Sequence, residues 1–92
     1  MTVRRSKLTS RFRRDTKRCI KRGLDMKRFR VFLQLLENDT PLPPAARPHL
    51  LKGQYSGYWE CHIAPDWLLI YSYLDEDTLL LYRTGTHADL FD

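Results

Sequence analysis

The 92-residue chain is short of the features that would place it in several large classes. No window approaches the ~18 consecutive apolar residues that a membrane-crossing helix needs, so no membrane partner is expected. The N-terminus carries no apolar stretch and opens with Arg4, Arg5 and Lys7, which reads as a cytoplasmic chain without a signal peptide. Cys19 and Cys61 are too far apart for a metal or redox spacing. They read as reduced thiols that pack as small hydrophobes. Repeats and low-complexity tracts are absent, and the length bounds the chain to one domain with one modest core, residues 1–92.

Acidic residues are scarce in one part of the chain. Residues 1–34 hold 13 of the 16 Lys and Arg but only two acids, Asp15 and Asp25. Residues 35–92 reverse the balance, with Arg47, Lys52 and Arg83 against nine acids. A net charge of +5 distributed so unevenly points to a polyanionic partner for the basic part. Nucleic acid fits, because phosphate neutralisation and counterion release supply sequence-independent affinity. The plainer alternative is a solvated basic face.

Val3 to Leu8 reads as a short edge strand guarded by its charges. Thr9 can cap a helix running to about Arg22, in which Leu8, Phe12, Cys19 and Ile20 form a narrow apolar stripe. Gly23 ends it, and Asp25 can cap a second helix from Met26 to about Glu37. Met26, Phe29, Phe32, Leu33, Leu35 and Leu36 give that helix a wide apolar face. Pro41, Pro43, Pro44 and Pro48 make residues 38–48 a loop. A brief pairing at Leu50–Gly53 and three strand-like runs follow, Tyr58–Ile63, Trp67–Leu74 and Leu79–Arg83. Their short links favour an antiparallel meander. The pattern predicts an α+β fold, an N-terminal helical hairpin on a twisted antiparallel sheet. Along the first long run, Trp59, Cys61 and Ile63 should face the helices, and Tyr58, Glu60 and His62 the open side.

The three histidines, His49, His62 and His87, all fall at loops or strand ends. Metal binding fits them poorly. Pro65 excludes a helical geometry that would bring His62 and Asp66 together, and carboxylates near the histidines are few. No metal or cofactor is therefore expected. Proton transfer on RNA fits better. Imidazole titrates at about pH 6.5, and RNA carries its own nucleophile in the 2′-hydroxyl. Cleavage needs a base for that group, an acid for the leaving 5′-oxygen and a cation for the phosphate. Arg83 and Lys52 are candidate phosphate contacts. Trp67, Trp59, Tyr58 and Phe91 are candidates for stacking on a base, although Trp59 reads as core and Trp67 is open.

The segment HLLKG…SGYWECHIAPDWLLIY, followed by YRTGTHADLF, resembles the YafQ branch of the RelE/ParE toxin superfamily. The His-x-x-Pro-Asp-Trp and Thr-Gly-Thr-His elements carry the likeness, which spans nearly the whole chain. The resemblance implies a fold like that of small microbial ribonucleases and ribosome-dependent cleavage of mRNA in the decoding site of the 70S ribosome. It also implies a cognate antitoxin as partner. By the same resemblance His49, His62, Asp66 and His87 match catalytic positions, and Phe91 matches a functional aromatic. Trp67 follows the aspartate as in the family, and Arg83 lies in the matching Arg-Thr-Gly-Thr-His element. Trp59 departs from the family, where a basic residue is common. The helix bearing Arg11, Arg13, Arg14, Lys17, Arg18, Lys21 and Arg22 is expected to dock on ribosomal RNA. Two other readings compete. A ParE-like gyrase poison shares the fold but needs no cluster of histidines. A non-catalytic RNA-binding module would leave the DWLLIY and RTGTH elements unexplained.

Overall fold

A computed structural model describes residues 3–91. β1 (Arg5–Leu8) leads into α1 (Ser10–Lys21) and α2 (Met26–Glu37). A proline-rich loop with a 3-10 turn at Pro44–Ala46 leads to β2 (His49–Leu50). Another 3-10 turn, Gly53–Tyr55, precedes the meander β3 (Trp59–Ala64), β4 (Trp67–Asp75) and β5 (Thr78–Gly85), and α3 (His87–Phe91) closes the chain.

The two long helices start and stop where their side chains dictate. Thr9 accepts a hydrogen bond from the Phe12 amide at 3.0 Å, and Asp25 accepts one from the Lys27 amide at 3.0 Å. Both are N-caps that satisfy donors a helix leaves unpaired. Gly23 takes a φ of +77°. Its amide reaches the Ile20 carbonyl at 3.0 Å while the Leu24 amide reaches that of Cys19 at 3.1 Å. This reciprocal pair needs a left-handed residue, which glycine supplies without strain.

The sheet order is β1-β5-β4-β3-β2. Every pairing is antiparallel except that of β1 with β5, which is parallel. The sheet is therefore mixed rather than purely antiparallel. The reason is connectivity: two helices intervene between β1 and the meander, long enough to return the chain in the same direction. β1 is indeed an edge strand, and Arg5 and Lys7 on it are exposed.

Both long helices cover one face of the sheet. Phe12, Phe29, Phe32 and Leu36 pack there with Cys61, Ile63, Leu69, Tyr71, Leu79 and Leu81. The face parity expected of β3 holds, with Trp59, Cys61 and Ile63 on the helix side. The narrow stripe of α1 is narrower still, because Ile20 and Leu8 are exposed. The other face is not open throughout. Leu68 and Ile70 are covered by Leu90 of α3 and by Leu51, Tyr55, Tyr58 and Tyr82. Burial pushes the Cys61 thiol up to about 12, in keeping with a thiol that serves packing.

The helical layer and the sheet are joined by a buried ion pair. Asp15 of α1 accepts hydrogen bonds from Arg83 Nε at 2.7 Å, Arg83 Nη2 at 3.2 Å and the Thr84 amide at 3.2 Å. Both residues are buried. Removing one partner of such a pair leaves an uncompensated charge, at a cost of about 3–5 kcal/mol. Asp15→Ala is therefore expected to lose stability on that scale in urea denaturation. A loss below ~1 kcal/mol, the scale of an exposed pair, would show that the pair is dispensable.

Candidate active site

The site is assembled from the two ends of the meander and the C-terminal helix. β2 pairs with β3 so that His49 lies opposite Glu60. Directly opposed residues share a face, and Glu60 shares that face with His62 two residues on. The three side chains form a row. Glu60 Oε1 is 3.5 Å from His49 Nε2 and 4.0 Å from His62 Nε2. Glu60 is only 5 % exposed, whereas His49 is exposed and His62 partly so. The register of β3 on β4 shifts between His62 and Ala64, a bulge-like break next to the site.

The tautomer of His49 follows from its partners. Nδ1 lies 2.9 Å from the Arg47 carbonyl, which can only accept, so Nδ1 carries a proton. A second proton, on Nε2, would point at Glu60. Nε2 thus faces the Glu60 carboxylate at 3.5 Å, while Nδ1 is hydrogen-bonded to the Arg47 carbonyl.

His87 is held differently. Asp66, in the turn between β3 and β4, accepts from the His87 amide at 3.2 Å and faces His87 Nδ1 at 3.2 Å. These two bonds from His87, backbone first, hold the Asp66 carboxyl below its usual range. An ionised aspartate fixes the proton on Nδ1 and leaves Nε2 free. Asp66 thereby orients a histidine, a geometry that favours this role over that of a base.

The two groups meet. The His62 and His87 rings are 6.0 Å apart, centroid to centroid. His87 is 6.1 Å from Phe91, and Tyr55 packs edge-on to Phe91 at 5.5 Å. Tyr55 also donates from its hydroxyl to the Leu90 carbonyl at 3.2 Å. The structure thus brings His49, His62, Asp66, His87 and Phe91 together and adds Glu60 and Tyr55. Glu60 was legible in part, since strand parity already put it on the face of His62.

Four expected contact residues do not stand as expected. Trp67 is 3 % exposed, lies in the helix-side core, and donates from Nε1 to Thr84 Oγ1 at 2.9 Å. It is a core residue rather than a stacking surface. Arg83 is 6 % exposed, and its bonds to Asp15 replace the phosphate role expected of it. Arg18 and Arg22 are likewise engaged, with Asp89 at 3.0 Å and 2.6 Å. Arg11, Arg13, Arg14, Lys17 and Lys21 are exposed, as a docking surface requires. Lys52 is exposed ahead of the Gly53–Tyr55 turn, outside the hydrogen-bonded set. Among the described residues, no three His, Cys, Asp or Glu side chains are grouped to hold a metal ion.

The tail separates two roles within adjacent residues. Leu90 is buried, whereas Phe91 is 41 % exposed. Leu90→Ala should therefore cost about 2–5 kcal/mol of stability, as buried leucine truncations do. Phe91→Ala should melt close to the parent yet lose much of the RNA cleavage expected from the sequence. A Phe91→Ala protein that melts several degrees lower, or cleaves RNA as the parent does, would assign the ring to packing alone.

Known proteins resemble this chain over nearly its whole length. A family model described as the bacterial toxin of a type II toxin–antitoxin system, YafQ, matches residues 4–92. The mRNA interferase toxin YafQ of Escherichia coli K12 is 43 % identical over 81 residues, 87 % of each chain. The crystal structure of YafQ from E. coli BL21(DE3) superposes with a TM-score of 0.89 at 39 % identity, covering 97 % of this chain and 99 % of that one. The toxin in a crystal structure of the E. coli DinJ–YafQ toxin–antitoxin complex gives 0.86 at 39 % identity, covering 97 % and 98 %.

Proposed function

The chain belongs to the YafQ family of bacterial type II toxins, and on that footing we propose that it is a ribosome-dependent endoribonuclease. It cuts mRNA in the decoding site by metal-independent proton transfer on its His/Asp cluster. The observation that carries the proposal is the convergence of the His49–Glu60–His62 row and the Asp66–His87 pair, with rings 6.0 Å apart. The likeness to a protein named as an mRNA interferase supports the substrate class.

The 2′-oxygen of the RNA attacks the adjacent phosphorus, and the bond from phosphorus to the 5′-oxygen breaks. His87, oriented by Asp66, takes the 2′-hydroxyl proton through Nε2. His49, with Nδ1 held by the Arg47 carbonyl and Nε2 facing Glu60, gives a proton to the leaving 5′-oxygen. His62 stands between them beside the phosphate. Each proton-transfer group typically contributes ~10²–10⁴-fold. Phe91 stacks on a base next to the scissile bond. With Arg83 held by Asp15, the phosphate contact falls to Lys52, and positioning falls largely to the ribosome. Arg11, Arg13, Arg14, Lys17 and Lys21 meet the ribosomal RNA backbone. A cognate antitoxin inhibits the protein, as the name of the DinJ–YafQ complex suggests by likeness. No helix among the described residues is long and apolar enough to cross a membrane, and the site of action is the cytoplasm.

The test is a translating extract in which the 5′ ends of mRNA fragments are mapped. Cuts in register with codons, lost in His49→Ala, His62→Ala and His87→Ala proteins that still fold, are expected. Intact mRNA together with inhibited DNA supercoiling would replace the proposal with gyrase poisoning. Cleavage should also survive EDTA when the ribosomes are kept intact by other means, and a requirement for zinc or manganese would overturn the proton-transfer scheme.

Reversing the charges of Arg11, Arg13, Arg14, Lys17 and Lys21 is expected to weaken ribosome association and flatten its salt dependence. Association unchanged at low and moderate salt would remove the docking role.

A further inference from the structure

α3 has five residues, too few to hold a helix by its own backbone bonds. Yet it carries His87 and Phe91. Leu90 anchors one side of it in the core beneath the sheet. The other anchor is Asp89, whose side chain is only 11 % exposed. Its carboxylate accepts a two-pronged contact from Arg22, Nη1 at 2.6 Å and Nη2 at 3.1 Å. Arg18 Nη1 adds a third at 3.0 Å. The Thr86 amide donates to Asp89 at 2.9 Å, and the Asp89 amide donates back to Thr86 Oγ1 at 3.1 Å. This reciprocal exchange is the capping box of a helix start.

Gly85 completes the fit. Its φ is +154°, and a Cβ there would sit 2.7 Å from Asp89 Oδ2 and 2.9 Å from Asp89 Cβ. The glycine of the Thr-Gly-Thr-His element leaves the space in which the carboxylate lies. The Arg22 fork is the leading cause that holds the Asp89 carboxyl far below its usual range, so the clamp is charged throughout the neutral range.

We propose that Asp89, clamped by Arg18 of α1 and by Arg22 just past its end, is a positioning residue that sets His87 and Phe91 for the reaction. This rests on the catalytic reading of His87. The two arginines thereby leave the docking surface and join the machinery that places the C-terminal helix. Anything that draws Arg22 away from Asp89 loosens the reacting imidazole without touching it.

The test uses Asp89→Asn, Arg22→Ala and Arg22→Lys in the full chain. It reads kcat and KM on ribosome-bound mRNA, the ring resonances of His87 by NMR, and the melting temperature. Asp89→Asn and Arg22→Ala should shift the His87 resonances and lower kcat by ~10²-fold, the effect of a displacement of about 1 Å at a reacting group. KM should stay near the parent value, because Arg11, Arg13, Arg14, Lys17 and Lys21, exposed on α1, still dock. Arg22→Lys should recover part of the rate. Arg22 is exposed, so its variants fold even where Asp89→Asn does not. Unchanged resonances and kcat would overturn the clamp, as would a raised KM with kcat intact, which would return both arginines to docking. Shifted resonances in Asp89→Asn alongside normal cleavage by His87→Ala would leave the clamp standing and remove the catalytic reading of His87.

Discussion

The arrangement depends on one buried carboxylate. α1 is crowded with cations, and Asp15 is its only acid. It accepts three N–H groups from Arg83 and Thr84 of β5. Thr9 makes a second attachment at the start of α1, donating to the Tyr82 carbonyl at 2.8 Å. Two fixed points set the course of the helix along β5, and its last turn then meets Asp89. Thr84 extends the constraint to β4. Its hydroxyl donates to the Leu68 carbonyl at 2.7 Å and accepts from Trp67 at 2.9 Å. Trp67 directly follows Asp66, so both partners of the Asp66–His87 pair trace back to the same buried knot. A buried ion pair contributes little net stability against well-packed apolar residues. Its value here is geometric.

The site divides its labour by depth. The groups that would meet RNA are accessible: His49, His87, Asp66 and Phe91 are exposed. The groups that hold them are buried, namely Glu60 beneath two histidines, Leu90 beneath α3, and Thr84 behind the turn that carries Asp66. Placement within fractions of an ångström comes from locked supporting residues rather than from the reacting side chains. The partly buried tyrosines and the buried Leu68 and Leu90 on the far face belong to this support. Tyr58 and Tyr82 stack at 4.5 Å, and Tyr55 braces both Tyr82 and Phe91.

Local chemistry was legible in the residues themselves. Thr9, Gly23 and Asp25 announced both long helices to within a residue or two. Alternation in β3 placed Trp59, Cys61 and Ile63 against the helices and His62 on the other side. What escaped reading was long-range. Arg83 and Asp15 are 68 positions apart, and no periodicity links them. Trp67 begins a strand in which Trp67, Leu68, Leu69, Ile70 and Tyr71 are all buried. Without alternation, nothing local separates the helix side from the substrate side. The parallel pairing of β1 with β5 is likewise a property of the whole topology. Arg18 and Arg22 looked like members of a uniform basic face because their partner lies 71 and 67 positions away in the tail.

The central claim is that imidazoles move protons while the RNA supplies its own nucleophile. The chemistry of the cut ends tests it most directly, and mass spectrometry of the fragments reads it. Attack by the 2′-oxygen leaves a 2′,3′-cyclic phosphate, or the 3′-phosphate formed from it, on the upstream fragment and a 5′-hydroxyl on the downstream one. Those are the ends the account predicts. A 3′-hydroxyl upstream with a 5′-phosphate downstream would mean that water attacked from the other side of the phosphorus, and would contradict it.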